Sequence, residues 1–204
     1  SDSTITAGTG DITITGGVTT ASGKSLTING AKDVTISTAK ITGAGGLTKS
    51  GNGTLNLNFA NDYTGGLTIN GGTVSLGNTG ALNATAGSEN GVSFGSGSTG
   101  VLALNGNNVT VASLNTNATP GTTIVQNGSA STNATLTIGN STNADSNYAG
   151  TIQNGSTGTL ALTKVGNGTL TLSGTNTYTG GTTINQGKII LNGGSLASGT
   201  VSIA

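Results

Sequence analysis

The chain has 204 residues, no net charge and only 6% charged side chains, and it contains 38 glycines but no histidine, cysteine, arginine or tryptophan. This composition excludes thiolate chemistry, a conventional triad base and a zinc site, because these need histidine or cysteine. Nucleic-acid binding requires Lys and Arg to neutralise phosphates, and none lies between Lys49 and Lys164. We expect no nucleic-acid partner and, without a long apolar run, no membrane insertion by this segment.

Apolar residues alternate with polar ones in short runs along the whole chain. The runs are Ile12–Ile14, Leu26–Ile28, Val34–Ile36, Leu55–Leu57, Leu67–Ile69, Val74–Leu76, Val109–Val111, Leu136–Ile138, Leu160–Leu162, Leu170–Leu172 and Ile189–Leu191. A period of two indicates β-strands with one buried face. Glycine and asparagine bound most runs, which is typical of sharp corners. Helices are disfavoured, because Thr, Ile, Val and Gly dominate throughout.

One stretch of the chain occurs twice without gaps. Residues 47–76 return 115 positions later as residues 162–191, with 19 of the 30 aligned positions identical. Three alternating runs within about 22 residues of the first copy predict one coil of three strands. We therefore predict an all-β fold, a parallel β-helix (β-solenoid) of about nine coils, each rising ~4.8 Å.

The composition does not change along the chain, so residues 1–204 are predicted to form a single β-solenoid. The segment of about 82–131 is less regular, and it is expected to be rich in longer loops. Pro120, the only proline, is expected in such a loop, because proline cannot donate a ladder hydrogen bond.

The three tyrosines share a local setting, as Tyr63-Thr-Gly65, Tyr148-Ala-Gly150 and Tyr178-Thr-Gly180. Residues 147–152 are therefore interpreted as a degenerate third copy of the repeat. We expect each tyrosine to pack at a corner with its hydroxyl group reaching solvent. Stacking of a ligand on the tyrosines is the alternative.

The repeated stretch carries the ordered patterns L-x-K-x-G-x-G-T-L-x-L, Y-x-G-G and I-N-x-G, in residues 162–187 and again in 47–72. It resembles the autotransporter-associated β-strand repeat, also called the passenger-associated transport repeat. The resemblance implies a right-handed parallel β-helix in a secreted passenger at the outer surface of a Gram-negative bacterium. There the repeat aids folding during export, and the passenger acts as a surface stalk or adhesin. The family's carboxy-terminal translocator is not in this sequence, so an excised passenger segment and a free secreted protein both remain open.

Few residues could carry catalysis. The six acids, Asp2, Asp11, Asp33, Asp62, Glu89 and Asp145, are scattered, and only Asp11 and Asp33 are separated by about one coil. A carboxylate pair of a polysaccharide-active enzyme could arise there by stacking across coils, but solvated turn residues are the preferred interpretation. We predict no enzyme activity and no catalytic, cofactor-binding or metal site, and the resemblance supplies no catalytic residue.

Four other patterns are weaker indications of function. Ser37 to Lys40 matches S-x-x-K, a motif that acts from a helix start. Gly95 to Gly100 matches G-x-G-x-x-G without a following helix, and Gly23-Lys24-Ser25 ends like a phosphate-binding loop but lacks its first glycine. Thr-x-Thr pairs at 13/15, 135/137 and 169/171 invite an ice-binding interpretation, but their spacing is not constant.

The ends of the chain suggest a second function. The first coil, around Thr4–Thr6 and Asp11–Ile14, and the last, Thr200–Ala204, are apolar and carry no obvious cap. Unpaired strand edges favour stacking, so a self-assembling extracellular filament is the alternative to a surface stalk. End-to-end self-association, a surface protein and a glycan are the partners left open.

Overall fold

The computed structural model describes residues 1–140, 142–197 and 199–204. These residues form 23 β-strands and no helix. All the strand pairings are parallel, and the chain winds nine times around three sides. The prediction of an all-β parallel β-solenoid of about nine coils is confirmed.

The first face collects one strand from every coil. Its strands are β1 (Ser3–Ala7), β4 (Ser25–Gly30), β7 (Gly46–Lys49), β9 (Leu67–Ile69), β11 (Val92–Phe94), β14 (Leu114–Thr116), β17 (Ser146–Tyr148), β20 (Thr169–Leu172) and β22 (Lys188–Leu191). Between β14 and β17, side chains replace part of the backbone ladder: Ser146 Oγ accepts from the Leu114 N–H and Asn115 Oδ1 accepts from the Asn147 N–H.

The second face is one seven-stranded parallel sheet. Its strands are β2 (Ile12–Ile14), β5 (Val34–Ile36), β8 (Thr54–Leu57), β10 (Thr73–Leu76), β12 (Val101–Ala103), β15 (Ile124–Gln126) and β18 (Thr151–Gln153). An isolated parallel bridge between Thr175 and Ser195 continues this side in the last two coils.

The third face is interrupted. Its strands are β3 (Val18–Thr20), β6 (Ile41–Gly43), β13 (Val109–Val111), β16 (Ala134–Ile138), β19 (Leu160–Lys164), β21 (Thr182–Ile184) and β23 (Val201–Ile203). The third and fourth coils cross this side without a strand, yet the Asp62 and Thr64 N–H groups still donate to the carbonyls of Ile41 and Gly43.

The core is a continuous interior filled by the alternate residues of these strands. On the first face, Leu26, Leu47, Leu67, Val92 and Leu114 are register partners on successive coils, and all are buried. All eleven alternating runs found in the sequence lie within strands. Each apolar side chain therefore stacks on its equivalents in the coils on either side, which keeps it from water.

The segment of about 82–131 is more regular than predicted. It contains β11 to β15, because its buried residues, among them Val92, Phe94 and Leu102, still occupy inward positions. The long irregular stretch is instead residues 77–91, and Glu89 within it accepts a hydrogen bond from Asn140 Nδ2 at 3.0 Å. Pro120 lies between β14 and β15, outside any strand as expected.

The two repeat copies occupy different faces. Residues 47–76 begin in β7 on the first face, whereas residues 162–191 begin in β19 on the third face. Each copy follows the same order of two strands, one strandless side and two further strands. The second copy is therefore rotated by one face relative to the first, which shows that the repeat does not depend on a particular side of the solenoid.

Candidate functional site

Each repeat copy buries one lysine at its first corner. Lys49 and Lys164 are both 1% exposed. Lys49 Nζ donates to the carbonyl oxygens of Ser50 at 2.6 Å and Gly51 at 2.9 Å. Lys164 Nζ makes the equivalent bonds to Val165 and to Gly166, the latter at 2.7 Å. The ammonium group thus satisfies carbonyl oxygens of the turn that follows its own strand.

Burial lowers the pKa of Lys49, and the nearby charge of Asp33 opposes this shift. Burial likewise lowers the pKa of Lys164, opposed by Asp145. An activated lysine of this kind can be a nucleophile. Both amines, however, point into the backbone of their own turn, so the observed geometry supports a structural role.

A buried asparagine in each copy joins three consecutive coils. Asn61 Oδ1 accepts from the Ile41 N–H at 2.7 Å, and its Nδ2 donates to the carbonyls of Phe59 at 3.1 Å and Ala81 at 2.9 Å. Ile41 lies in the preceding coil and Ala81 in the following one. One side chain therefore supplements the few backbone hydrogen bonds on the strandless side; we name this arrangement the asparagine clamp.

The second copy repeats the asparagine clamp with Asn176. Its Oδ1 accepts from the Ile152 N–H at 2.9 Å, and its Nδ2 donates to Gly174 at 3.2 Å and Ser195 at 2.6 Å. This role was not predicted from the sequence. The available signal was that an asparagine lies two residues before the tyrosine in both copies.

The expectation that the tyrosine hydroxyls reach solvent is wrong. Tyr63, Tyr148 and Tyr178 are at most 1% exposed, which also removes them as a surface for ligand stacking. Tyr178 Oη lies 2.6 Å from Thr182 Oγ1, whereas the Tyr63 hydroxyl has no hydrogen-bond partner among the described residues. Burial raises the pKa of all three phenols. All three rings instead fill space in the close-packed interior.

Residues 147–152 do not reproduce the clamp geometry of the two copies. Tyr148 lies within β17, whereas Tyr63 and Tyr178 lie on strandless sides. Its ring packs against Phe94 with the ring centroids 5.7 Å apart. The likeness to the repeat is therefore local, at the corner that leads into β18.

Asp11 and Asp33 lie on adjacent coils, as their spacing suggested. Asp11 Oδ1 accepts from the Asp33 N–H at 3.1 Å, and Asp33 Oδ1 accepts from the Thr54 N–H at 2.7 Å. Asp2 and Asp145 bind the N–H groups of Ser25 and Thr169 in the same way. Asp2, Asp33 and Asp145 thus cap the first amide of a strand in the next coil, and Asp11 caps the amide just before β5. The turn interpretation therefore fits better than a catalytic pair.

The remaining acids have other partners. Asp62 pairs with Lys40 at 3.3 Å in an exposed ion pair, and Glu89 accepts from Asn140 and from the Gly87 N–H. Among the described residues, no group of three or more acids is placed to hold a metal ion.

The weaker motifs lie at corners without helices. Residues 37–40 follow β5, residues 95–100 join β11 to β12, and residues 23–25 lead into β4. The three Thr-x-Thr pairs lie on three different faces, so they form no common array. No helix long and apolar enough to cross a bilayer occurs in the described ranges.

These features define a β-solenoid that carries two rotated copies of one structural unit, each with a buried lysine and an asparagine clamp. The passenger-associated transport repeat family matches residues 47–76 and 162–191, which confirms the resemblance at both positions. No curated protein and no solved structure matches the chain. The repeats and the solenoid together fit a structural domain of autotransporter-passenger type, and such repeats are typical of secreted or surface proteins of Gram-negative bacteria.

Proposed function

We propose that this chain is a non-enzymatic surface stalk, which holds an adhesive surface away from a Gram-negative cell. The observation that carries the proposal is the unbroken stack of nine coils. Interior stacking links each coil to its neighbours, and each of the two asparagine clamps joins three consecutive coils, as a rigid spacer requires. At ~4.8 Å per coil, the stack spans about 45 Å. The carboxylates that hydrogen-bond to strand amides support a structural rather than a catalytic use of the acids.

Surface display tests the stalk. The 204-residue chain, with an epitope at its amino terminus, is fused to the translocator of a Gram-negative autotransporter, and antibody labelling of intact cells is measured. We expect strong labelling without permeabilising the outer membrane. Labelling that appears only after permeabilisation would contradict the proposal.

A second candidate is a filament built by end-to-end stacking. The last coil leaves inward-facing apolar side chains uncovered: Val201 is 50% exposed, Ile203 80% and Leu191 46%. The first coil offers Ile5, Ile12 and other half-buried residues at its own edge. Both terminal coils include all three sides, so a second copy can continue each face in register.

Negative-stain electron microscopy over a concentration series tests the filament. Stacking predicts rods that lengthen with concentration at constant width, and the double variant Val201→Lys/Ile203→Lys should stop the elongation, because it places charge on the exposed edge. Rods of one constant length at every concentration would exclude this candidate and leave the stalk.

A further inference from the structure

Three open depressions on the first face join into one groove. Their volumes are about 420, 290 and 250 Å³, and Thr68 lines all three. Thr48 lines the first, Ser93 the second and third, and Asn115 the third. The groove therefore crosses the strands from β7 to β14; we name it the first-face groove.

The polar groups of this groove follow the coil period. Thr48 pairs in register with Thr68, Thr68 with Ser93, and Ser93 with Asn115. All four alternate with buried residues and so face outward. One outward hydroxyl or amide group thus occurs every ~4.8 Å along the solenoid axis. Two of the four groups also have a partner within the chain: Thr48 Oγ1 lies 2.9 Å from Ser25 Oγ, and Asn115 Oδ1 accepts from the Asn147 N–H.

The edge of the groove is formed by backbone. Gly65 and Gly66 line both of its larger depressions, and Gly91 lines the second. A Cβ atom on Gly65 would lie 2.3 Å from the backbone of Gly45. Glycine thus keeps this corner narrow, because a larger residue would collide with the backbone of the preceding coil.

The chemistry of the groove selects its ligand. Thr48, Thr68, Ser93 and Asn115 are uncharged, and Asp2 and Lys24 lie only at its first end. This excludes a polyanion, which needs basic residues. A peptide strand adds to a sheet at an edge, whereas β7, β9 and β11, which cross most of the groove, are already paired with a strand on each side. What remains is a neutral, hydroxyl-rich chain that exchanges hydrogen bonds with a repeated row of partners.

We propose that the first-face groove binds an uncharged polysaccharide, whose chain runs parallel to the solenoid axis. Successive sugar residues contact Thr48, Thr68, Ser93 and Asn115, one residue to about one coil. This inference rests on the proposed function as an adhesive surface stalk. It adds the class of ligand that the stalk binds.

Affinity electrophoresis tests the proposal. The purified chain is run in native gels that contain dextran, yeast mannan or laminarin, each neutral, and in a gel that contains alginate, which is anionic. At least one neutral polymer should retard the chain, and alginate should not. The double variant Thr48→Val/Thr68→Val removes two hydroxyl groups at nearly constant shape, and it should raise the apparent Kd about tenfold.

The third face supplies the matched control. Thr137 and Thr163 are register partners that also face outward, and they line none of the three depressions. The variant Thr137→Val/Thr163→Val should bind like the native chain. Unchanged mobility of the native chain in all three neutral gels would overturn the proposal, as would equal losses in the two variants. Surface labelling of the epitope by the groove variant would show that the stalk survives when glycan binding fails.

Discussion

Two tyrosines at the same repeat position differ in what their hydroxyl groups meet. Tyr63 and Tyr178 are both buried, but among the described residues only Tyr178 has a hydrogen-bond partner for its hydroxyl group, the Thr182 hydroxyl. We expect Tyr178→Phe to lower the free energy of unfolding by about 1 kcal/mol, because Thr182 is left without its partner. Tyr63→Phe should be neutral or stabilising by up to about 1 kcal/mol, since it removes an unpaired buried hydroxyl.

Urea denaturation followed by circular dichroism measures both changes. The two substitutions are chemically identical and equally buried, so each is the control for the other. A larger loss for Tyr63→Phe than for Tyr178→Phe would show that the Tyr63 hydroxyl has a stabilising partner after all.

The asparagine clamp makes a second prediction at the same scale. Asn61→Ala leaves the Ile41 N–H and the carbonyls of Phe59 and Ala81 without this partner. Buried groups left unsatisfied should lower the free energy of unfolding by about 2–4 kcal/mol. The exposed neighbour change Asn58→Ala should stay within about 0.5 kcal/mol. Denaturation midpoints that shift equally for the two variants would rule out the clamp as a major source of stability.

At the scale of elements, the turn after Lys49 packs closely against a glycine in the next coil. Gly72 has φ of +65°, and a Cβ there would lie 2.4 Å from the Gly53 carbonyl oxygen and 2.7 Å from Lys49 Nζ. Gly97 has φ of +63° with nothing within 4 Å of the same position. The two glycines therefore have nearly the same φ, and they differ in how much room surrounds a Cβ atom.

Alanine at the two corners should separate these effects. Gly97→Ala should lower the free energy of unfolding by about 1–2 kcal/mol, which is the left-handed backbone cost. Gly72→Ala should lose about 1–3 kcal/mol more, because the turn must move to admit the methyl group. Urea midpoints measure both. Equal losses of unfolding free energy in the two variants would mean that the turn moves at no cost to admit the methyl group. The close contact between Gly72 and the turn would then contribute no stability.

At the scale of the whole molecule, the tyrosines report on alkaline unfolding. Burial raises the pKa of Tyr63, Tyr148 and Tyr178 above the usual 10.0. The folded chain therefore holds protons that the unfolded chain releases, and the free energy of unfolding falls as the pH rises above about 10. Lys49 and Lys164 act oppositely, because their lowered pKa makes stability rise with pH up to the usual lysine value of 10.5.

We expect phenolate absorbance and the β-sheet circular dichroism signal to change together in one transition above pH ~10. Tryptophan is absent, so the near-ultraviolet change comes from tyrosine alone. A phenolate signal that develops near pH 10 while the dichroism stays constant would show that the phenols are accessible in the folded chain.

Much of this architecture follows from local pattern. The alternating runs predicted strands because a period of two fits a half-buried strand, and all eleven runs became strands. The repeat predicted coils because each copy contains closely spaced alternating runs, and three runs within about 22 residues fit one coil of three strands. The prediction that the tyrosine hydroxyl groups reach solvent was wrong, because the sequence near each tyrosine does not show which side chains of other coils surround it. Asn61 was missed because its partners at 41 and 81 belong to other coils.

The sequence by itself determined the all-β solenoid, the approximate number of coils and the two repeat copies, since these depend on period and composition within about one coil. Only the tertiary structure decided the rotation of one copy against the other, the asparagine clamp and the first-face groove. The reason is that coil length varies: Thr48 and Thr68 are partners 20 residues apart, whereas Thr68 and Ser93 are partners 25 apart. Because the number of residues per coil varies, residues that are register partners on successive coils cannot be identified from one fixed spacing in the sequence. Hydrogen bonding between successive coils decides which residues become partners.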